Sequence, residues 1–539
     1  MDLMESAMEP TITSPTTIDS SFSERERKRK RLILALSFIL YSFWVSILIY
    51  RHEVWRDEAR ALSIVRASSS LSELFANLKN EGHPALWYLL LKGGYLIFQA
   101  PWSLKVVHLL IAISAAFVWL FFSPFLVYER IFFLCGIAPV FEFSVISRNY
   151  GISTLLMFLI AHLYPRKWER PVFYCSLMAL LANTNVHSLI FAGALFAGGC
   201  VEYLRAFRKS HTNKPKWNVI VISSLIFLSG SLLSIYTIYP DQYARAGQPF
   251  HHDLASVLLQ LWSVFTAPFD FLNFNLATLW LDRWNTFILP EVIIFSALIP
   301  SMTIELYLIL ILATVGVSFF FSAIYVAHPR HQFLYLNFFL AIWWIKRARI
   351  KNIEFFKGGR RSSLFVFGDR ILLFIFLFIL FNAAWDPIRN ATLVPYSNVK
   401  KFSGFLASQP EFKASIIIAE PDYLIEALPY YADNQMYSAR EERFVRWVHF
   451  TSENKDFLST NEMLDQAETL QKKTGKTVVF VIENIIDMNK PHLWHLGRKQ
   501  FDNSPDGVLR FRNSTKMIAD FSGALSDENF KVYCLMPCP

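Results

Sequence analysis

A polytopic α-helical membrane protein with a C-terminal soluble α/β domain is the fold class this sequence predicts, on three observations. Hydrophobic residues make up 54% of the 539 positions and aromatics 16%, more than a soluble chain needs to fill its cores. The excess lies in long uncharged runs separated by basic clusters. From Pro395 onward the runs stop, and short apolar segments alternate with a helical period.

Residues 1–31 read as a cytoplasmic, disordered, basic tail. Its first 24 positions are rich in Ser, Thr, Glu and Pro. Arg25, Arg27, Lys28, Arg29, Lys30 and Arg31 then place the N-terminus on the cytoplasmic side, where Lys and Arg accumulate. Leu32 to Tyr50 is a run of nineteen uncharged residues, enough to cross a hydrocarbon layer of roughly 30 Å. It is long for a signal-peptide core, and Ser46-Ile47-Leu48 offers no small-residue cleavage site.

Further runs at 106–127, 171–201, 219–239, 306–327 and 371–385, with shorter ones at 85–100, 131–164, 255–300 and 332–345, extend a membrane domain over 32–388. About ten to thirteen spans are expected. Pro165 to Arg170, Arg205 to Lys216 and Lys346 to Arg361 read as cytoplasmic loops; the segments around His187, Asp241 to Asp253, Asn273 to Trp284 and His328 to His331 fall on the other side. Two ordinary crossings in 101–147 would put Arg148 on the wrong side of the 165–170 loop. One helix there is therefore short, broken or missed, with Pro124 and Pro139 as breakers.

The last run exports residues 389–539 as an extracytoplasmic α/β domain. Ile416 to Ile418 and Val478 to Val481 read as buried strands, and Asn461 to Lys473 as a helix with Met463, Ala467 and Leu470 on one face. The net charge of +9 follows the ends of the apolar runs, which argues for membrane topology and against a nucleic-acid partner. Cys135, Cys175 and Cys200 lie in or beside apolar runs as packing residues; Cys534 and Cys538 fit either a disulfide or free thiols. The sequence contains neither an internal repeat nor a Gly-rich phosphate loop.

Chemistry points to the first outer loop, 51–84. Trp55, Ala59 and Leu62 recur at helical spacing, as do Leu71, Leu74, Phe75 and Leu78, so two short amphipathic helices are expected on the membrane surface. They would hold Asp57 and Glu58 at the lipid–water boundary, where a partly desolvated carboxylate is a stronger base. Both residues also fit a helix first turn, pairing with Arg56 or Arg60. Arg148 near membrane depth needs a partner, either a lipid-linked phosphate or Glu142. Arg330 and His331 suit a leaving phosphate, with an interfacial anchor as the alternative. His187 is a polar island in an apolar region, open to hydrogen bonding between helices or to substrate. Asp241 and Arg245 read as a solvated loop.

Trp55-Arg56-Asp57-Glu58-Ala59 followed by His83-Pro84-Ala85-Leu86-Trp87-Tyr88 resembles the GT-C superfamily of polyprenyl-phosphate-sugar-dependent glycosyltransferases, most closely its bacterial protein mannosyltransferase and aminoarabinose transferase branch. The segment Glu142 to Gly151 is similar to that family's Glu-Tyr-x-Val-x-Ala-Arg-x-Tyr-Ala, with Phe143 and Ser147 as departures, and His328-Pro329-Arg330-His331 to its Arg-His pair.

The resemblance implies an inverting, multi-pass glycosyltransferase of the cell envelope, in the bacterial inner membrane, taking a sugar from a polyprenyl-phosphate donor to a lipid, glycan or protein acceptor. Asp57 or Glu58 would be the catalytic carboxylate, His83 would open the second span, and His83, Glu142, Arg148, Tyr150, His187, Arg330 and His331 would contact substrate. Some members of the superfamily use a divalent cation; the branch resembled here generally does not, so no metal and no other cofactor is expected. A transporter or flippase with Asp57 as an interfacial charge, and an inactive envelope-assembly scaffold, are the competing classes. The absence of repeated halves weighs against the transporter.

Overall fold

The computed structural model describes residues 17–208, 216–240, 302–324, 328–350, 360–449, 451–483, 486, 493–496 and 499–538. Asp241, Arg245 and the apolar run at 255–300 lie outside the described residues.

Helix α1 spans Thr17–Arg51 and so begins within the stretch expected to be disordered. Ion pairs Glu24–Lys28 at 2.8 Å and Glu26–Lys30 at 2.6 Å, each one helical turn apart, support that amphiphilic extension. Beyond it Leu36, Ile39, Leu40 and Phe43 are exposed along α1, an outward apolar face suited to lipid rather than water. The first outer loop holds α2 (Arg56–Ala67) and α3 (Leu71–Asn77), followed by α4 (Leu86–Phe98). Then come α5 (Ser103–Phe122), α6 (Val127–Leu134), α7 (Tyr150–Leu163), α8 (Pro171–Ala182), α9 (Val186–Arg208) and α10 (Trp217–Ile238). The later described helices of the membrane region are α11 (Ile304–Ala323), α12 (Pro329–Ile350) and α13 (Arg360–Leu393).

Among the described residues, five helices (α1, α5, α9, α10 and α11) are long and apolar enough to cross a bilayer, as a multi-pass membrane protein requires. The basic loops converge on one end of the bundle. There Lys167 and Arg349 both pair with Glu202 at 2.9 Å, Arg205 pairs with Glu305 at 2.6 Å, and Arg347 bridges Glu129 at 2.7 Å and Asp369 at 2.8 Å.

Helix α4 corrects the expected threading. It was expected to open at His83-Pro84 and cross, yet its 13 residues reach only about 20 Å and both ends stay near the outer loop. His83 precedes it beside Arg148, and Lys105, just after it, donates to the carbonyl of His52 at 2.6 Å. With α4 removed from the count, α5 runs inward from the loop end and the next segment returns. That segment is the short, broken one: α6 has eight residues and is followed by a five-residue π-helical turn, Ala138–Glu142, containing Pro139. Arg148 therefore emerges at the same end as Asp57.

The soluble part is built on a six-stranded sheet of order β3-β2-β1-β5-β9-β8, comprising β1 (Ile416–Glu420), β2 (Gln435–Ser438), β3 (Arg443–Val445), β5 (Val478–Ile482), β8 (Thr515–Phe521) and β9 (Phe530–Leu535). The two expected strands are its centre: β1 and β5 pair in parallel, Ile416 opposite Val478, and all their residues are buried, as continuous apolar strands require. A second sheet has order β4-β7-β6, from Phe457–Ser459, Lys499–Asp502 and Leu493–Leu496. The expected helix spans Thr460–Thr474; Ser459 caps it by accepting from the Glu462 amide, and Gly475 ends it at φ 66°. Cys534 and Cys538 are disulfide-bonded.

Candidate functional site

Helix α2 distributes its first-turn charges around the axis, because successive residues turn by about 100°. Asp57 faces the bundle. Its Oδ2 accepts from Arg148 Nη1 at 2.5 Å and lies 3.5 Å from Arg330 Nη1, so one carboxylate sits between two guanidinium groups from different parts of the chain. Burial acts to raise its pKa, but Arg148, then Arg330, Arg56 and Arg60 outweigh it and hold the carboxyl below the usual aspartate range. It remains about one-third accessible, with 30% of the side chain exposed.

Glu58 points the opposite way and is fully buried. One oxygen accepts from His52 Nε2 at 2.7 Å and from the Trp55 amide at 3.2 Å; the other accepts from the Ser147 amide at 2.6 Å. Burial again acts upward, and His52 with the two amides brings the carboxyl below its ordinary value. Glu58 therefore ties the start of α2 to the segment preceding Arg148 and has no accessible oxygen for substrate.

The partner of Arg148 is Asp57 rather than Glu142, which corrects the intramotif pair. The tight backbone of residues 143–147 turns the arginine back toward α2: the Arg148 amide bonds to the carbonyl of Ile146 and the Ser147 amide is held by Glu58. Glu142, at the end of the π turn, stays within electrostatic reach of Arg330 and Arg148. His83 Nε2 lies 3.4 Å from Arg148 Nη2 and accepts from it; burial and that guanidinium push His83 down to about 3, so the ring is neutral. Arg148 also lies 5.5 Å from the centre of the Tyr150 ring, and Arg330 5.5 Å from that of Trp55.

His331 lies in the first turn of α12. Its Nδ1 accepts from the His328 amide at 3.3 Å, which leaves Nε2 protonated and facing the Tyr150 hydroxyl at 2.9 Å. This neutral tautomer locks Tyr150 to α12. His187 stacks on His331 with ring centres 4.7 Å apart, beside Phe320 and Phe321, and its two buried ring nitrogens have no hydrogen-bond partner among the described residues. The candidate site residues thus gather at one end of the bundle: Arg148 touches both Asp57 and His83, Arg330 lies 3.5 Å from Asp57, and Tyr150, His331 and His187 form a row behind them.

The outer domain completes this site, and here the expected membrane-surface position of α2 is corrected. Every residue from Glu58 to Val65 is buried. Arg56 and Arg60, one turn apart, both reach the soluble domain. The Arg56 amide donates to Glu528 at 2.9 Å, its guanidinium pairs with Asp527 at 2.7 Å, and the same group lies over Tyr423 at 4.5 Å. Arg60 pairs with Glu426 at 2.5 Å and, through two nitrogens, with Glu81 at 2.7 and 2.8 Å. Tyr431 binds both backbone groups of Val54, accepting from its amide at 2.6 Å and donating to its carbonyl at 3.2 Å. The amphipathic pattern was real, but its polar side found protein partners instead of water. Sequence reading passed over His52, Ser147 and these outer-domain contacts; only the i, i+4 spacing of Arg56 and Arg60 hinted at a second charged face.

No protein-family model and no curated protein sequence matches the chain. Among solved structures it is similar to ArnT from Cupriavidus metallidurans bound to undecaprenyl phosphate, at 13% identity and a TM-score of 0.48 over 93% of this chain and 97% of that one. For apo ArnT from the same organism the values are 12%, 0.46, 95% and 98%. The arabinofuranosyltransferase AftD from Mycobacteria overlaps at 11% identity and a TM-score of 0.36, over 94% of this chain and 40% of AftD.

Proposed function

We propose that the chain is an inverting glycosyltransferase that moves a sugar from a polyprenyl-phosphate donor to a lipid, glycan or protein acceptor at the non-cytoplasmic face of a membrane, in bacteria the inner membrane. The observation that carries this reading is the single carboxylate of Asp57 held between Arg148 and Arg330, at the end of the bundle where the outer domain closes over α2. The N-terminus is then cytoplasmic and the outer domain extracytoplasmic, a placement supported by the basic cluster ahead of α1 and by the Cys534–Cys538 disulfide.

The donor's phosphodiester, entering between the two guanidiniums, brings them a singly charged partner that becomes doubly charged as the polyprenyl phosphate leaves, and draws them from Asp57. Asp57 is ionised at neutral pH and, once released, regains the basicity its arginines suppress. The acceptor hydroxyl gives its proton to Asp57 while its oxygen attacks the anomeric carbon from the face opposite the phosphate. The bond from that carbon to the phosphate oxygen breaks, its electron pair leaves with the polyprenyl phosphate, and Arg148 and Arg330 neutralise the charge that develops. Neutral His83 aims Arg148, and the Tyr150–His331 pair fixes the floor behind it. The two guanidiniums do the work a metal would do elsewhere, so chelation is expected to leave turnover unchanged.

The test is transfer of labelled sugar from a panel of polyprenyl-phosphate donors, with nucleotide sugars as controls, in membranes carrying the chain. Lipid-dependent transfer supports the reading. Transfer from nucleotide sugars alone, or from none of the donors at matched expression, refutes it.

A further inference from the structure

On the side of α2 away from Asp57 the helix and the outer domain border a half-open polar pocket of about 420 Å³. Ser63 and Arg66 form one wall; Asp433, Phe444 and Arg446 are on the other, at the edge of the six-stranded sheet where β3 is the outermost strand. Three features set it apart from a packing gap. Ser63 is only 3% exposed, and it brings a hydroxyl to the wall of the pocket. Arg446 and Asp433 are exposed and make no ion pair among the described residues, whereas the neighbouring Arg443 pairs with Glu441 at 2.6 Å. Phe444 exposes 45% of its surface at the cavity's edge.

We propose that this cavity is a binding site for an acidic saccharide, the anionic, polyhydroxylated part of the acceptor; this rests on the transferase reading above. Two arginines against one aspartate leave a net positive lining, so a carboxylate or phosphate substituent is favoured there and a cationic sugar is not. Ser63 and Asp433 offer a donor–acceptor and an acceptor for ring hydroxyls. The exposed face of Phe444 suits the slightly positive C–H edges of a sugar ring, since the aromatic face is the negative part of its quadrupole. The volume falls in the range of small-ligand sites, and a junction between domains is where such sites recur.

The position explains why an acceptor site would be built here. Ser63 and Arg66 lie six and nine residues along α2 from Asp57, about 9 and 14 Å at 1.5 Å per residue. Because the pocket lies on the other side of α2, a saccharide held there must pass round the helix as well as along it to present a hydroxyl to Asp57, so an extended, multi-unit acceptor is what would seat here. Arg66 is already oriented for this, because one of its nitrogens donates to the carbonyl of Pro429 at 2.6 Å, holding the side chain across the junction.

The experiment is calorimetric titration of the purified full-length protein in nanodiscs, without donor, using oligogalacturonates and phosphorylated oligosaccharides as acidic probes and malto-oligosaccharides as neutral ones. Arg446→Ala and Phe444→Ala alter exposed side chains, so both should fold as the wild type does. The expected result is binding of at least one acidic probe, at least tenfold weaker or absent for the neutral ones, and weakened about tenfold by Arg446→Ala. Failure of every acidic probe, equal binding of neutral probes, or indifference to both substitutions overturns the proposal. Acidic-probe binding by a protein that transfers no sugar from any donor would refute the transferase reading and leave the saccharide site standing.

Discussion

Arg148 donates to Asp57 across 91 positions of chain, joining the loop after α6 to the first turn of α2. The contact gives each residue a task it cannot perform alone: the arginine gains a charge partner at the edge of an apolar bundle, and the carboxylate is kept ionised but occupied. A donor phosphate would exchange one arrangement for the other.

Asp57→Asn removes the proton acceptor without changing the shape of the side chain. Sugar transfer should fall about 10²- to 10⁴-fold, the range assigned to general bases. Donor binding should persist or tighten, because the two arginines no longer spend part of their charge on a carboxylate. Equilibrium binding of labelled donor, run beside the transfer assay at matched expression, separates the two effects; a variant with full activity would mean that another group takes the proton.

Arg148→Ala and Arg330→Ala should each slow transfer, by roughly 10²- to 10³-fold if each supplies one donor to the leaving phosphate. Arg330 lies farther from Asp57, at 3.5 Å, so its removal should leave the pKa of Asp57 lower than removal of Arg148 does. Sign matters here. With Arg148 gone the suppressed carboxyl rises toward its ordinary value, so the acid limb of the rate profile should shift to higher pH more in Arg148→Ala than in Arg330→Ala. Identical acid limbs for wild type and both variants would separate these arginines from Asp57 in function.

Local order was legible in the sequence because it is written in local periodicity. Trp55, Ala59 and Leu62 disclosed α2, and the Val478 to Val481 run disclosed a central strand. Leu86–Phe98 was misjudged for the same reason: apart from Lys92 its composition is that of a membrane span, and nothing in those thirteen residues records that Lys105 returns to His52. Proximity also misled. Glu142 stands six residues from Arg148 and offered itself as a partner, while the actual partner, Asp57, carries no sequence mark linking it to residue 148. The outer-domain contacts of α2, with separations of 363 to 472 residues, belong wholly to tertiary structure.

Glu58→Gln tests a residue placed in the catalytic loop that should not touch substrate. The carboxylate accepts from His52, Trp55 and Ser147; glutamine keeps one acceptor oxygen and turns an amide N–H₂ toward a donor. A buried clash of that kind costs about 3 kcal/mol, read as a lower melting temperature, and activity should fall in proportion to misplacement of Asp57 and Arg148. The pH profile of the remaining activity should match the wild type, since Glu58 is not the group that titrates in turnover.

The junction between α2 and the outer domain should weaken with rising pH through Glu528. This side chain is fully buried, one oxygen caps the Arg56 amide at 2.9 Å, and the Ser397 hydroxyl is within reach of the carboxyl. Burial raises its carboxyl to about 8, against an ordinary value near 4.5. The folded protein therefore binds this proton more tightly than the unfolded chain does. The resulting stability is fully present below about pH 4.5 and is lost as pH rises through about 8. Hydrogen exchange of residues 53–60 should accordingly quicken, after correction for intrinsic exchange, between about pH 5 and 8 and level off above that. Glu528→Gln, uncharged at every pH, should abolish that acceleration, and equal acceleration in the variant would show that the weakening originates elsewhere.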